Sequence, residues 1–366
     1  MMDLSFYKGK KVLITGHTGF KGSWMAEVLL NAGADVTGYA LNPPTEPSLY
    51  EIIGLKNKMN SVIGDIRDRD KLISVMTQTK PEIVIHMAAQ PIVRDSYKEP
   101  AYTYETNVMG TVNLLEAVRK TPSVKSLVNV TTDKVYLNRE WGRGYVETDE
   151  LNGFDPYSNS KSCSELVTSS YVNSFFTDKE YEKNYGIKAP AVSTMRAGNV
   201  LGGGDFANDR IIPDCVRATK DGKVIEIRNP YSVRPFQHVL DPVMAYLMVA
   251  AKQYEDRSYM GSYNVGPDDN DAVTTGALSD KFCSIWNRLN KDNALHEASW
   301  ESRAVDGPHE ANLLRLDCTK LKRTFNWKPV WTIDDTMEKT VSWYMEYVRG
   351  GNVLSVMEKQ IAEFLK

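Results

Sequence analysis

Tyr157 and Lys161 stand four residues apart in the stretch GYVETDELNGFDPYSNSKSCSEL. Read as helix, this segment sends both side chains from one face. A phenol beside an ammonium can work as an acid/base, because the cation stabilises phenolate and draws an ordinary pKa of about 10 toward working pH. Thr132 ends the apolar run SLVNVTT just upstream, where a strand hands its last side chains to a shared cleft. Asp133 and Lys134 follow it directly. A Y-x-x-x-K pair alone is common on helix surfaces, so its meaning depends on what else the chain carries.

That context is the amino-terminal stretch KKVLITGHTGFKGSWMAEVLLNAG. Lys11 to Thr15 read as a short buried strand, and Ser23 to Leu30 as the start of an amphipathic helix. Gly16, Gly19 and Gly22 recur between them at three-residue spacing. The first glycine allows a tight turn and the second lets the backbone approach a diphosphate. The third lets the helix lie close on the strand, with phosphates at its N-terminus. The spacing is G-x-x-G-x-x-G rather than G-x-G-x-x-G, and an ordinary glycine-rich turn uses the same residues.

The elements that must position these groups follow a regular alternation. Val12–Thr15, Asp35–Tyr39, Asn60–Ile63, Ile83–His86 and Ser126–Thr131 are short apolar runs, and helical or loop segments separate them. This predicts a parallel sheet with helices on both faces, whose ligands lie beyond the carboxyl ends of the strands. Gly16, Ala88 and Thr132 all sit at such ends. After Arg196 the pattern loosens. Ile211–Asp221 reads as a helix, and VIEIRNPYSVRPFQHVLD as paired short strands before a helix near Pro242. Ile333–Gly350 and Val353–Lys366 read as helices. The expectation is a dinucleotide-binding domain over residues 1–196 and a mainly substrate-binding lobe over 197–366, with some segments returning to the first domain.

Composition bounds the function. With 366 residues, 42% hydrophobic and 25% charged, the chain is an ordinary globular protein with a large core. A net charge of −3 argues for neither nucleic acid nor membrane as a partner. Cys163, Cys215, Cys283 and Cys318 lie far apart without a C-x-x-C, which suggests reduced thiols rather than a disulfide framework or zinc site. The five histidines show no metal-ligand spacing, so no metal is expected. No stretch of 18 apolar residues and no signal-like leader is seen, and the expectation is a soluble, cytoplasmic protein.

The glycine triplet, MAAQ after a strand, the TTDK segment and the Tyr157/Lys161 pair together resemble the extended short-chain dehydrogenase/reductases. Within them the chain resembles the nucleotide-sugar 4,6-dehydratases, above all those acting on CDP-glucose, from Lys10 to about Pro329. The resemblance implies a Rossmann-type doubly wound α/β sheet with a smaller α/β lobe. It implies NAD held by Gly16, Gly19, Phe20, Gly22, Asp65, Ile66, Ala88 and Ala89, together with Tyr157 and Lys161. It also implies that Tyr157 takes the proton of a sugar 4-hydroxyl, with Lys161 lowering its pKa and binding the nicotinamide ribose. Thr132 would orient the hydroxyl, and Asn107 would be structural.

A dehydratase needs an acid at carbon 6 and a base at carbon 5. The resemblance gives the acid role to Asp133, which must then be protonated; a turn aspartate capping a loop is the plainer reading. Relatives acting on dTDP-glucose carry glutamate where Lys134 stands. Lys134 is either a base, if held neutral, or a cation stabilising the enolate, and the sequence leaves both open. No acidic residue stands near Ala40 to hold an adenosine ribose, and Lys21 could favour a 2′-phosphate. The internal redox cycle favours NAD, with weaker retention than in relatives that have the carboxylate. For the substrate, CDP-D-glucose, Arg234 and Asn199 match residues that hold the diphosphate or sugar. Arg210 and Arg303 are equally readable as surface ion-pair partners, and His238 as an interior histidine. An epimerase would not need Asp133, and a silent dinucleotide sensor would not need Thr132, Tyr157 and Lys161. The resemblance implies a homodimer or homotetramer, paired through the Tyr157 helix and one near Asn107.

Overall fold

The computed structural model describes residues 3–268, 271–291, 294–303 and 314–366. Its centre is a seven-stranded parallel sheet. Six strands come in chain order: β1 (Lys11–Thr15), β2 (Asp35–Ala40), β3 (Asn60–Ile63), β4 (Ile83–His86), β5 (Ser126–Thr132) and β6 (Ala191–Ala197). Four short strands follow, β7 (Val200–Leu201), β8 (Ile225–Ile227), β9 (Val233–Pro235) and β10 (Gln237–His238), before β11 (Ser262–Val265) returns to the sheet. The order is β11-β6-β5-β4-β1-β2-β3, so the chain reverses direction across the sheet between β1 and β4. That reversal opens a crevice at the carboxyl ends of the strands.

The sequence explains the burial. Every residue of β4, β5 and β6 is buried, as expected for strands covered on both faces. Alternate side chains of β1 enter opposite layers. Val12 and Ile14 pack with the helices Phe20–Asn31 and Leu240–Glu255, while Leu13 packs with Leu72, Met76 and Leu114 on the other side.

The short strands correct one expectation. Residues 224–241 do not pair among themselves. β7 runs parallel to β10, β9 antiparallel to β12 (Ala272–Thr274), and β8 parallel to β13 (Trp300–Ser302). Pro230 lies between β8 and β9 and Pro235 ends β9, each removing a backbone donor, so each fragment takes its partner from a distant segment. The helix expected near Pro242 begins at Leu240.

Candidate functional site

The glycine loop closes β1 onto the helix Phe20–Asn31. Gly16 has φ +82°, and a Cβ there would stand 2.8 Å from the Ala88 nitrogen. A Cβ on Gly22 would be 2.1 Å from the Gly16 carbonyl oxygen, so the helix and the turn touch without room for a side chain. Gly19 is the helix N-cap, extended in conformation and without a side-chain cap. A Cβ there would meet only the Gly16 carbonyl oxygen, at 3.5 Å, so the outer side is clear and the first amides of the helix face it. This cradle fits an anionic diphosphate. Phe20, half-buried, packs against the core beside Gly202.

His17, not singled out from sequence, is fully buried and occupies the space where Gly38 of β2 would carry a Cβ. Its Nε2 lies 2.8 Å from Ser61 Oγ, and burial holds its pKa down at about 4. Lys21 departs from expectation. Its ammonium donates to Tyr246 Oη at 3.4 Å, and the charges acting on it are those of Arg210, Lys161 and Asp133. Burial and those cations bring it down to about 7. It therefore belongs to the catalytic end of the crevice and not to the ribose end near Ala40.

At the other end, Asp65 is gripped by Arg67, whose Nε and Nη2 donate to its carboxylate, and the arginine holds its pKa low. Ile66 is buried against Gly110. Ala88 donates its backbone N–H to Thr15 Oγ1 at 3.2 Å, and Ala89 follows it in the same half-buried turn. Asn107 accepts from the Gln90 amide and donates to Gln90 O and Ser160 Oγ, tying this turn to the Tyr157 helix.

Thr132, Asp133, Lys134, Tyr157 and Lys161 converge at the end of β5. The helix Pro156–Ser174 starts at Asp155, whose side chain caps Ser158 N, with Pro156 in its first turn. Asp133 is buried. Its Oδ1 accepts from Thr132 Oγ1 at 2.9 Å and from Lys134 Nζ at 2.9 Å, while its Oδ2 has no hydrogen-bond partner. A Cβ on Gly198 would stand 3.2 Å from that Oδ2.

The electrostatics bear on the expected role of Lys161 and on the two readings left open for Lys134. Burial raises the Tyr157 phenol above its ordinary value, and the groups pulling it back are the Lys134 cation, then the hydrogen bond with Thr132, then the Arg210 cation, rather than Lys161. Lys161 donates to Val130 O at 3.2 Å, and burial lowers it to about 8. Nor is Lys134 a neutral amine: burial pushes it down, but the Asp133 carboxylate outweighs that and leaves it above the ordinary lysine value.

The substrate-side candidates divide. Arg210 pairs with Asp205 at 2.7 Å and acts on both Lys21 and Tyr157, so it belongs to the crevice. Arg234, on β9, acts on Lys134 and reaches the same place. Asn199 lies between Gly198 and β7, its carbonyl accepting from Gln237 N. Arg303 is an exposed ion-pair partner of Glu226 and no part of the crevice. His238 is also corrected as a substrate contact. It is enclosed by Trp24 and Trp331, accepts from Leu240 N, and burial holds its pKa at about 3. Sequence reasoning missed Arg315, which lines a small hollow with Gly198, Pro235 and Leu316 and whose buried Nε has no partner. It also missed Glu165 and Arg196, although Glu165 stands one helical turn beyond Lys161 and was open to the same spacing argument.

The chain matches the family model of GDP-mannose 4,6 dehydratase over residues 13–340. It is 47% identical to CDP-glucose 4,6-dehydratase of Salmonella typhimurium over 366 residues, covering 100% of this chain and 99% of the relative. Among solved structures it is similar to dTDP-glucose 4,6-dehydratase from Bacillus anthracis in complex with NAD. The TM-score is 0.70 and the identity 23%, covering 92% of this chain and 97% of that one. It is also similar to UDP-glucose 4-epimerase from Stenotrophomonas maltophila with bound NAD, with TM-score 0.77 and 20% identity, covering 93% and 100%. These two likenesses concern the fold.

Proposed function

Because this chain belongs to the GDP-mannose 4,6-dehydratase family, we propose that it is a hydro-lyase that dehydrates CDP-D-glucose to CDP-4-keto-6-deoxy-D-glucose. The observation that carries this reading is the full-length likeness to CDP-glucose 4,6-dehydratase, joined to the pairing of Lys134 with the buried Asp133 beside Tyr157. NAD fits the glycine cradle, with Gly16, Gly19, Phe20 and Gly22 at its diphosphate. Asp65 and Ile66 would hold its adenine end, and Ala88, Ala89 and Lys161 its nicotinamide end. When bound, it would supply a hydride acceptor for sugar carbon 4 and a hydride donor for carbon 6, so that no net oxidation results.

The chain's own residues manage the protons. Tyr157, oriented with Thr132, takes the 4-hydroxyl proton, and the Lys134 and Arg210 cations stabilise the phenolate. With carbon 4 a ketone, the carbon-5 proton is acidic. Lys134 as an ammonium cannot take it, and Asp133 as a carboxylate cannot protonate the 6-hydroxyl. One transfer across their 2.9 Å contact answers both needs, because moving a proton from Nζ to Oδ1 yields a neutral amine and a neutral acid together. The amine then takes the carbon-5 proton as the acid protonates the departing 6-hydroxyl, which leaves as water. The carbon 5–carbon 6 double bond forms and the ammonium–carboxylate pair is restored; once carbon 6 has regained hydride, the Lys134 ammonium gives a proton back to carbon 5.

Arg234 and Arg210 hold the substrate diphosphate, and Asn199 the sugar side. We place the enzyme in the supply of dideoxysugars for bacterial surface polysaccharide such as O-antigen, in the cytoplasm, as a homodimer or homotetramer. Incubating the protein with CDP-, dTDP-, UDP- and GDP-glucose plus NAD, and following each by mass spectrometry, tests the reading. Loss of one water from CDP-glucose is expected, and loss from another nucleotide sugar alone would overturn the substrate.

A further inference from the structure

Tyr157, Lys161 and Glu165 form a row at four-residue spacing on the helix Pro156–Ser174. Glu165 is the innermost, and its two oxygens collect four donors. Oε1 accepts from Thr131 Oγ1 at 2.5 Å and Arg196 Nε at 3.0 Å; Oε2 accepts from Thr194 Oγ1 at 2.7 Å and Arg196 Nη2 at 2.8 Å. Thr131 immediately precedes Thr132 and Asp133, so one carboxylate joins the helix carrying Tyr157 and Lys161 to the strand carrying the other reacting groups. Arg196 continues the connection to Tyr136 Oη at 2.8 Å and to Glu147 O at 3.0 Å.

We propose that Glu165, clamped by Arg196, is a positioning residue that keeps Lys161 in its ammonium form at the crevice while fixing the Tyr157 helix against β5. The proposal rests on the reading of Tyr157 as the acid/base of the oxidation and of Lys161 as a holder of the nicotinamide end beside it. The groups facing Lys161 leave this task to Glu165. From the glycine-loop helix comes Lys21 and from β4 His86, neither an anion. Asp133, after β5, is paired with Lys134. Arg210, Arg234, Tyr157 and Tyr246 are the other titratable or charged groups placed at the crevice among the described residues, and none of them is a carboxylate. Among the described residues, Glu165 is the anion that acts on Lys161, and it opposes a burial that brings the ammonium down to about 8.

The sign follows. Neutralising Glu165 removes an upward pull, so Lys161 loses its proton at lower pH; well below that point variant and parent are alike. A merely structural carboxylate, on removal, would instead weaken the fold or the rate at every pH without moving Lys161. The test is NMR titration of the lysine ammonium groups in the full chain, with Lys161 assigned by its absence in Lys161→Arg. Its midpoint is expected to fall by about one pH unit in Glu165→Gln. In Glu165→Asp, which keeps the charge on a shorter arm, the fall should be smaller and in the same direction, and this variant carries the test if the first does not fold. The alkaline limb of the oxidation half-reaction should move by the same amount. An unmoved midpoint in a folded variant overturns the proposal. The titration needs no substrate, so it stands apart from any failure of the sugar panel.

Discussion

Two ion pairs lie near the end of β5, one buried on both partners and the other only on its carboxylate, and they are built in opposite ways. Glu165 meets the forked guanidinium of Arg196, and all its acceptor capacity toward neighbouring donors is taken up on both oxygens. Asp133 meets the single point charge of Lys134 on one oxygen and leaves the other without a partner beside Gly198. An arginine fork fixes geometry and never gives up its proton, whereas a lysine on a flexible stem can. A saturated buried pair is a brace. A half-satisfied one, maintained in a folded interior, is a place where a proton or a ligand is expected. The molecule thus separates holding from reacting, with Thr131 bonded to the one pair two residues before Asp133 of the other.

The sharpest way to break that comparison is to remove the reacting phenol. Tyr157→Phe keeps the ring and its packing, so turnover should fall by about 10³-fold or more while substrate affinity, read by calorimetry, is retained. Next comes the brace. Arg196→Met strands Glu165 in the interior and should lower unfolding free energy by about 3–5 kcal/mol in a denaturant titration. Asp133→Asn should lower it far less, because Lys134 is about a third exposed and finds water. Its cost lies in the chemistry: without an acid at carbon 6 the reaction should stall after oxidation, and the near-ultraviolet absorbance of reduced nicotinamide should accumulate on mixing with substrate. Equal destabilisation by the two changes would erase the distinction.

How much of this was legible beforehand follows from how local each feature is. The glycine turn, the strands β1 to β5 and the Tyr157–Lys161 spacing are written in contiguous residues, so periodicity and turn chemistry reach them. The partners of β8, β9 and β10 are not, since two- and three-residue strands carry no period and take their neighbours from segments 37 to 75 residues away. Lys21 shows the same limit in one side chain. Its place in the loop was readable, but the Tyr246 hydroxyl that turns it toward Asp133 lies 225 positions along the chain. Likewise, nothing in TTDK says that Asp133, rather than burial, decides the charge of Lys134.

Arg303 offers the smallest effect and a useful baseline. By residue type it was as eligible for a diphosphate as Arg210, and only the fold separates them. Arg210 lies among the crevice charges acting on Tyr157. Arg303 pairs with Glu226 where their side chains are 61% and 49% exposed, so water screens the attraction and side-chain entropy offsets most of what remains. Arg303→Ala should therefore change unfolding free energy by no more than about 0.5 kcal/mol and leave KM for the nucleotide sugar unchanged. Arg210→Ala should raise KM, since it removes a cation from the crevice itself. If Arg303→Ala raised KM comparably, the substrate would have to extend across β8 and β13, and the boundary drawn between crevice and surface would move with it.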